Sequence, residues 1–172
     1  MKVIGINLSA TDAHATGIAT IEDNKIRTFT VYKNPEILEI IERFDPEVVC
    51  IDAPLHLSAN PYRAAEKEIL AMGYNPEPQN MGDNKLKIKR AIEIRASTLH
   101  ECEFIECHIL SVKKALNVSE PKQLTNVRLM NILKNQYEKD AVFAAVTAMF
   151  YKEESYEEFG DDEEGKTIIP KI

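Results

Sequence analysis

The stretch Val48-Val49-Cys50-Ile51-Asp52-Ala53-Pro54 places four consecutive apolar side chains directly before an acidic one. A run that is apolar on both faces is typical of a buried, parallel strand, so we predict a strand over residues 48–51. Asp52 then lies at the carboxyl end of that strand, where open α/β sheets bind their ligands. A carboxylate in this apolar setting needs a cation, an arginine or a helix N-terminus beside it. Asp52 is therefore either a functional acid or a strand-end cap.

Three β segments precede this strand, and we predict them over residues 2–9, 15–22 and 25–32. The second and third are joined at Asp23-Asn24, a short polar turn of the hairpin type. A helix that begins at Asn34-Pro35 then leads into the central strand, because asparagine and proline are both common at helix starts. The chain therefore opens as an antiparallel meander.

Asn7 lies near the end of the first predicted strand. Alternation with a period of two puts it on the same face as Gly5 and Ser9. If the first strand and the 48–51 strand are parallel neighbours, Asn7 and Asp52 enter one crevice at the same sheet edge.

Prolines and glycines interrupt residues 54–84. Long irregular insertions are usually functional or disordered, so we predict a flap over the site that includes a helix over about 62–72. Arg63 and Glu66 lie on this helix. They either contact a substrate or pair with each other, and the ion pair is the favoured interpretation.

The rest of the chain alternates between helical and extended patterns. We predict helices over about 85–101, 109–116, 121–135 and 138–151, a strand over 104–107, an acidic loop over 153–164 and an edge segment over 167–170. A meander followed by βα units predicts one α/β domain over residues 1–172, with helices on both faces of a mixed sheet.

Two further acids are candidates for the site. Asp140 shares the small-residue face of the last predicted helix, four positions before Ala144. An acid there is either a partner of the helix N-terminus or a metal ligand. Glu106 lies in the short 104–107 strand and is either a third site acid or an edge residue.

The net charge of −7 is unevenly distributed. Residues 153–164 contain eight acidic residues and no basic one, so the remaining chain carries a charge of +1. A nucleic-acid partner is therefore compatible with the acidic composition. The basic residues that would bind it cluster within eleven positions, although a solvated helix face explains them equally well: they are Lys85, Lys87, Lys89, Arg90 and Arg95.

The three cysteines, Cys50, Cys102 and Cys107, cannot all pair, and we expect structural roles for them. Cys102, Cys107 and His108 match no standard zinc spacing. No apolar run approaches the ~20 residues that span a membrane, and the N-terminus does not resemble a signal peptide. We expect a cytoplasmic protein without a membrane partner.

Several of these segments together resemble a widespread family of predicted nucleases with the ribonuclease H fold, in the superfamily of the RuvC-type resolvases. The resemblance covers nearly the whole chain, and it is the order and spacing of the motifs that make it specific. They are Gly5-Ile6-Asn7-Leu8-Ser9, Thr16-Gly17-Ile18-Ala19, Ile51-Asp52-Ala53-Pro54-Leu55, Asp140–Ala148 and Glu164–Pro170, with looser matches at Arg63, Glu66 and Glu106.

The resemblance implies a sheet of five strands, three antiparallel and then two parallel. It also implies hydrolysis of phosphodiester bonds in nucleic acid by two Mg²⁺ or Mn²⁺ ions, which favour hard oxygen ligands. The catalytic residues it implies are Asn7, Asp52, Glu106 and Asp140, with Asp52, Glu106 and Asp140 as metal ligands.

One position departs from this family. Asn7 stands where the family usually has aspartate, so one negative charge is missing and at least one ion should bind more weakly. Asp12 compensates only if its loop folds back. A catalytically impaired module that binds nucleic acid or nucleotides is therefore the alternative function. Phosphoryl transfer to a small molecule, as in sugar kinases, ranks last because Ser9-Ala10-Thr11 is not a glycine-bearing phosphate loop. The oligomeric state stays open, and a dimer is compatible with the sequence.

Overall fold

The computed structural model describes residues 1–172 and contains one eight-stranded sheet with the order β6-β3-β2-β1-β4-β5-β8-β7. The strands are β1 (Lys2–Asn7), β2 (Thr16–Glu22), β3 (Lys25–Val31), β4 (Val48–Ile51), β5 (Glu103–Glu106), β6 (Arg128–Leu129), β7 (Tyr156–Asp161) and β8 (Gly165–Pro170). The helices are α1 (Asn34–Phe44), α2 (Ala64–Ala71), α3 (Gly82–Ser97), α4 (Ile109–Ala115) and α5 (Gln136–Lys152).

The five predicted strands form the centre of the sheet. The meander is confirmed, because β1 pairs antiparallel with β2, and β2 pairs antiparallel with β3. Strands β1, β4 and β5 are parallel, and Ile6 is in register with Ile51. Asn7 and Asp52 therefore follow paired positions at the same edge, as the sequence predicted.

The expectation of five strands in total is wrong, since the sheet has eight. Strand β7 lies within the predicted acidic loop and pairs antiparallel with β8, which itself pairs in parallel with β5. Sequence analysis predicted a loop here because the segment is rich in acidic residues. Glu157 and Glu158 are exposed because β7 is the last strand of the sheet, so the usual alternation of buried and solvated side chains is weak.

A helix over residues 121–135 is also absent. The structure has a 3₁₀ turn at Pro121–Gln123 and the two-residue strand β6, which pairs with β3. Asn131 explains the extended path. Its side-chain oxygen accepts from the Thr28 backbone N–H, and its amide nitrogen donates to the Thr28 carbonyl. The Asn131 side chain therefore makes the two backbone hydrogen bonds that a neighbouring strand would make with Thr28.

Two apolar layers cover the two faces of the sheet, one dominated by α5 and the other by α1 and α3. Helix α5 lies directly on the meander. A Cβ atom at Gly5 would be 2.0 Å from the Ala145 backbone nitrogen, and one at Gly17 would be 2.0 Å from the Tyr137 carbonyl oxygen. Only glycine permits this approach, which brings the start of α5, including Asp140, to the sheet edge beyond Asp52.

None of the helices combines the length and the apolar character that a membrane span requires.

Candidate functional site

A cleft of about 310 Å³ opens at the carboxyl ends of β4 and β5. Its lining includes Asp52, Glu106 and Asp140, three of the four residues that the sequence predicted as catalytic. Asn7 does not line the cleft but lies behind Asp52, with its side-chain nitrogen 3.0 Å from Asp52 Oδ2. The fold therefore brings the predicted acids to one place from a strand end, a second strand and a helix.

Asp52 is compensated by protein donors. Besides Asn7, the Lys87 ammonium lies 3.4 Å from Oδ2, and the backbone N–H of Ile109, at the start of α4, lies 3.4 Å from Oδ1. Only 16% of the side chain is exposed. A carboxylate can only accept hydrogen bonds, so the Asn7 amide nitrogen must face it. The negative charge of Asp52, which was expected to need a compensating group, is thus balanced by a lysine and two N–H donors.

Asp140 is held in a similar way by its own partners. The Lys113 ammonium lies 2.6 Å from Oδ1, and Gln136 donates to the same oxygen at 2.8 Å. The side chain is 19% exposed, toward the cleft. The Lys113 ammonium also lies 5.1 Å from the centre of the Phe143 ring, a favourable cation–π distance. Asp140 is therefore a partly exposed acid in an ion pair.

Glu106 differs from the other two acids because it is fully engaged. Arg63 donates to both of its oxygens, at 3.1 and 2.8 Å, and the Leu55 backbone N–H donates to Oε1 at 2.7 Å. Its side chain is 4% exposed, and that of Arg63 is 0% exposed. A planar guanidinium that binds a carboxylate at both oxygens is a strong and rigid partner. Glu106 is therefore a structural anchor.

The predicted ion pair between Arg63 and Glu66 is confirmed at 2.7 Å. It belongs to a larger buried cluster, since Arg63 also donates to Glu106 and to the Glu164 carbonyl oxygen. Burial by itself would lower the pKa of Arg63, but its hydrogen bonds to Glu66 and Glu106 outweigh burial and raise the pKa. This permanent charge fastens the flap to β5 and to the turn before β8.

The cleft as a whole is acidic. Its lining contains five carboxylates and three cations, which leaves a charge of −2 when His108 is neutral. Burial lowers the pKa of His108 below its ordinary value, so this imidazole is neutral at pH 7. The cations are Arg63, Lys87 and Lys113, and the carboxylates are Asp52, Glu66, Glu77, Glu106 and Asp140.

This arrangement does not fit the two-ion centre that the resemblance implies. No three His, Cys, Asp or Glu side chains are placed so that they could hold a metal ion together. Both oxygens of Glu106 accept hydrogen bonds from Arg63, and Asn7 presents its amide nitrogen to Asp52. The oxygens of Asp52 and Asp140 are partly exposed at this cleft and are of the hard type that divalent cations prefer, and in this structure each acid is paired with a lysine.

The five predicted basic residues do not form one stripe. Lys85 and Lys89 are exposed on α3, Lys87 enters the cleft, and Arg95 lies by a different cavity near His56. Arg90 is buried at 7% exposure and serves the structure. Its guanidinium donates to the carbonyl oxygens of Ser9, Thr11 and Tyr32 and to the Asn34 side chain. Arg90 therefore holds the β1–β2 loop against the start of α1.

Sequence analysis missed Lys113 as a site residue. It lies on a seven-residue helix, and a lone lysine there has the pattern of an ordinary solvated side chain. The sequence gives one indirect indication that Lys113 belongs to the site. Lys113 follows Ile109 by four positions, so both lie on the face of α4 that meets the cleft.

No protein-family model and no curated protein matches the chain. Several solved structures resemble it, among them two of RuvC. Thermus thermophilus RuvC in complex with a Holliday junction substrate is 16% identical, with a TM-score of 0.56 over 89% of this chain and 96% of that one. A second Thermus thermophilus RuvC structure is 15% identical, with a TM-score of 0.56 over 90% of this chain and 97% of that one. The likeness confirms the predicted RuvC-like fold.

Proposed function

We propose that this RuvC-like chain is a nuclease that hydrolyses phosphodiester bonds in nucleic acid, with one Mg²⁺ or Mn²⁺ ion at Asp52 and Asp140. The observation that carries the proposal is that these two acids, from different elements, reach the same cleft and keep part of each side chain open to solvent. The charge of −2 along the cleft favours a divalent cation over an anion. The RuvC structure that contains a Holliday junction supports nucleic acid as the partner.

The role that we propose for each residue follows from how exposed its side chain is. Asp52 and Asp140 would hold the ion, which when bound lowers the pKa of water and polarises the phosphate. Asn7 orients Asp52 through its amide, and Glu106 keeps the flap in place through Arg63. Arg63 and Glu66 thereby serve positioning roles. Lys85 and Lys89, exposed on the helix that delivers Lys87, would contact phosphates outside the cleft.

Asn7 favours a second candidate, a module that binds nucleic acid without cutting it. Its amide adds no negative charge to the site and instead satisfies part of Asp52. Because Asn7 carries no charge, a dication at Asp52 would be balanced by one carboxylate fewer than if position 7 were an acid. Native protein that binds nucleic acid but is silent in cleavage would fit this candidate.

The two candidates separate in one experiment. Labelled single-stranded, duplex and branched DNA and RNA are incubated in Mn²⁺ or EDTA with the native protein, Asp52→Asn, Asn7→Asp and the exposed control Asp83→Asn. The nuclease proposal predicts cleavage in Mn²⁺ by the native protein and the control, and loss of at least 100-fold in Asp52→Asn, the scale on which removal of one key electrostatic group acts. Cleavage only by Asn7→Asp, with binding by both, would establish the impaired module instead.

A further inference from the structure

The segment 109–139 forms a basic surface beside the cleft. It leaves the cleft at Ile109, whose backbone N–H lies 3.4 Å from Asp52 Oδ1. It returns to the cleft at Gln136, whose amide donates to Asp140. The segment contains six basic and two acidic residues, a net charge of +4, whereas the rest of the chain carries −11. The positive charge of this protein is therefore concentrated next to the candidate site.

Most of this charge faces solvent and has no carboxylate partner. The inner side chains of the segment pack on the apolar layer of α5, and Val112 and Leu116 are buried there. Its outer side chains include four exposed cations that are in no ion pair: Lys114, Lys122, Arg128 and Lys134. Unpaired cations clustered on one segment attract a polyanion from solution.

Glu120 is the one acid of the segment that reaches solvent, because Glu138 is buried. The Lys139 ammonium lies 3.0 Å from Glu120. This hydrogen bond lowers the pKa of Glu120, and the positive charges of Lys122 and Lys113 lower it further. Three lysines from α4, the 3₁₀ turn and α5 therefore converge on one carboxylate, and Lys113 also lines the cleft. The positive surface is thus continuous with the candidate site.

Tyr137 adds an aromatic side chain at the edge of the cleft. The Tyr137 carbonyl oxygen lies over Gly17, which is the register partner of Asn7, and the residue is 39% exposed. Asp140 follows Tyr137 by three positions, so the two side chains are neighbours on α5. Leu110, at the cleft end of the segment, is 60% exposed. The basic surface therefore offers contacts to flat apolar groups as well as to phosphates.

We infer that the basic surface binds a single strand of nucleic acid, with its phosphates at Lys114, Lys122 and Lys134 and an unpaired base against the Tyr137 ring. The inference rests on the proposed function for its partner, and it requires no metal ion. A single strand combines a charged backbone with bases that are free to stack on aromatic side chains, whereas a duplex keeps its bases paired. A strand also continues from the surface into the cleft, which a lipid bilayer does not.

The first test measures the binding of labelled oligothymidylate, a strand that does not pair with itself, by fluorescence anisotropy in EDTA over a range of salt concentrations. One variant replaces three lysines of the basic surface with glutamine: Lys114, Lys122 and Lys134. The loss of three phosphate contacts should lower the slope of log K against log salt by about 2.

A matched control loses the same charge from other parts of the surface. It replaces three exposed lysines with glutamine: Lys33, Lys67 and Lys171. Its affinity should stay within about twofold of the native value, because no phosphate lies near these positions. An equal loss of affinity in both triple variants would overturn the inference, since net charge alone would then explain the binding.

The second test compares Tyr137→Leu with Tyr137→Phe on oligothymidylate and on its duplex with oligoadenylate. Tyr137→Leu should weaken binding of the single strand at least about fivefold, because the stacked ring is lost. Tyr137→Phe keeps the ring and should stay within about twofold of the native affinity, and the duplex should respond little to either change. An equal loss for single strand and duplex would overturn the stacked base. Thermal unfolding of each variant shows that folded proteins are compared.

Binding in EDTA separates this inference from the function beneath it. If the native protein cleaves nucleic acid in Mn²⁺ but the triple variant of the basic surface binds single strands like the native protein, the proposed nuclease stands and the inference is wrong. If the native protein binds single strands through this surface and cleaves none, the nuclease fails and the inference stands. If the protein sediments with phosphatidylserine vesicles and oligothymidylate does not compete, the surface belongs to a membrane partner and the inference is wrong.

Discussion

Replacing Arg63 with methionine should destabilise the protein more than any single change at its surface. The substitution keeps an unbranched stem but removes a guanidinium that donates to Glu66 and Glu106 at 2.7–3.2 Å and to the Glu164 carbonyl at 2.8 Å. Two carboxylates that are 6% and 4% exposed would remain without their cation. Breaking a buried pair in this way costs about 3–5 kcal/mol. Because domains are stable by only about 5–15 kcal/mol, about a fifth or more of the stability would be lost.

Urea unfolding, followed by circular dichroism, measures this loss. Lys67→Met is the matched control, because Lys67 is an exposed cation on α2, the helix that Arg63 caps, and its loss should change the unfolding free energy by less than about 0.5 kcal/mol. Adding Glu106→Gln to Arg63→Met removes one orphaned charge and should recover part of the loss. A loss below about 1 kcal/mol for Arg63→Met would refute the reasoning, since it would mean that water solvates both acids once the arginine is gone.

Three further predictions concern packing, acidity and the basic residues. Gly5→Ala should lower the free energy of unfolding by at least about 1–3 kcal/mol, because its Cβ would meet the Ala145 nitrogen at 2.0 Å and push α5 off the sheet; an unchanged melting temperature contradicts this. Burial raises the pKa of Cys102 to about 11, so its rate of alkylation should still be rising above pH 9, whereas the urea-unfolded protein should level off near pH 9–10; equal midpoints would disprove the shift. Arg90→Met should reduce stability and leave the salt dependence of DNA binding unchanged, whereas Lys85→Met should reduce the slope of log K against log salt by about 0.7–0.9; the reverse result would return Arg90 to the DNA-binding surface.

The central strands were predictable because their information is local. Strand β4 is apolar on both faces, and this pattern by itself indicates a buried parallel strand ending at Asp52. The ion pair of Arg63 with Glu66 could be predicted for the same reason, since the residues are three positions apart at the start of α2.

The partners of the acids could not be predicted in this way. Arg63 is 43 positions from Glu106, and Lys113 is 27 positions from Asp140. Pairing between residues so far apart in the sequence depends on how helices and strands pack. The hydrophobic periodicity of either segment does not predict it. Sequence analysis could therefore identify the acids, but it could not tell that Glu106 is fully engaged while Asp140 keeps an open side.

The position of β7 at the edge of the sheet bears on pairing between copies of this protein. The last strand of a sheet presents unpaired N–H and C=O groups, which are a template for pairing with a strand of another molecule. Here the exposed side chains of that edge include Glu157 and Glu158, which are ion-paired with Lys171 at 3.3 Å and with Lys166 at 3.0 Å. A second copy that paired with β7 would have to desolvate these charged side chains, so they oppose strand-to-strand pairing at this edge.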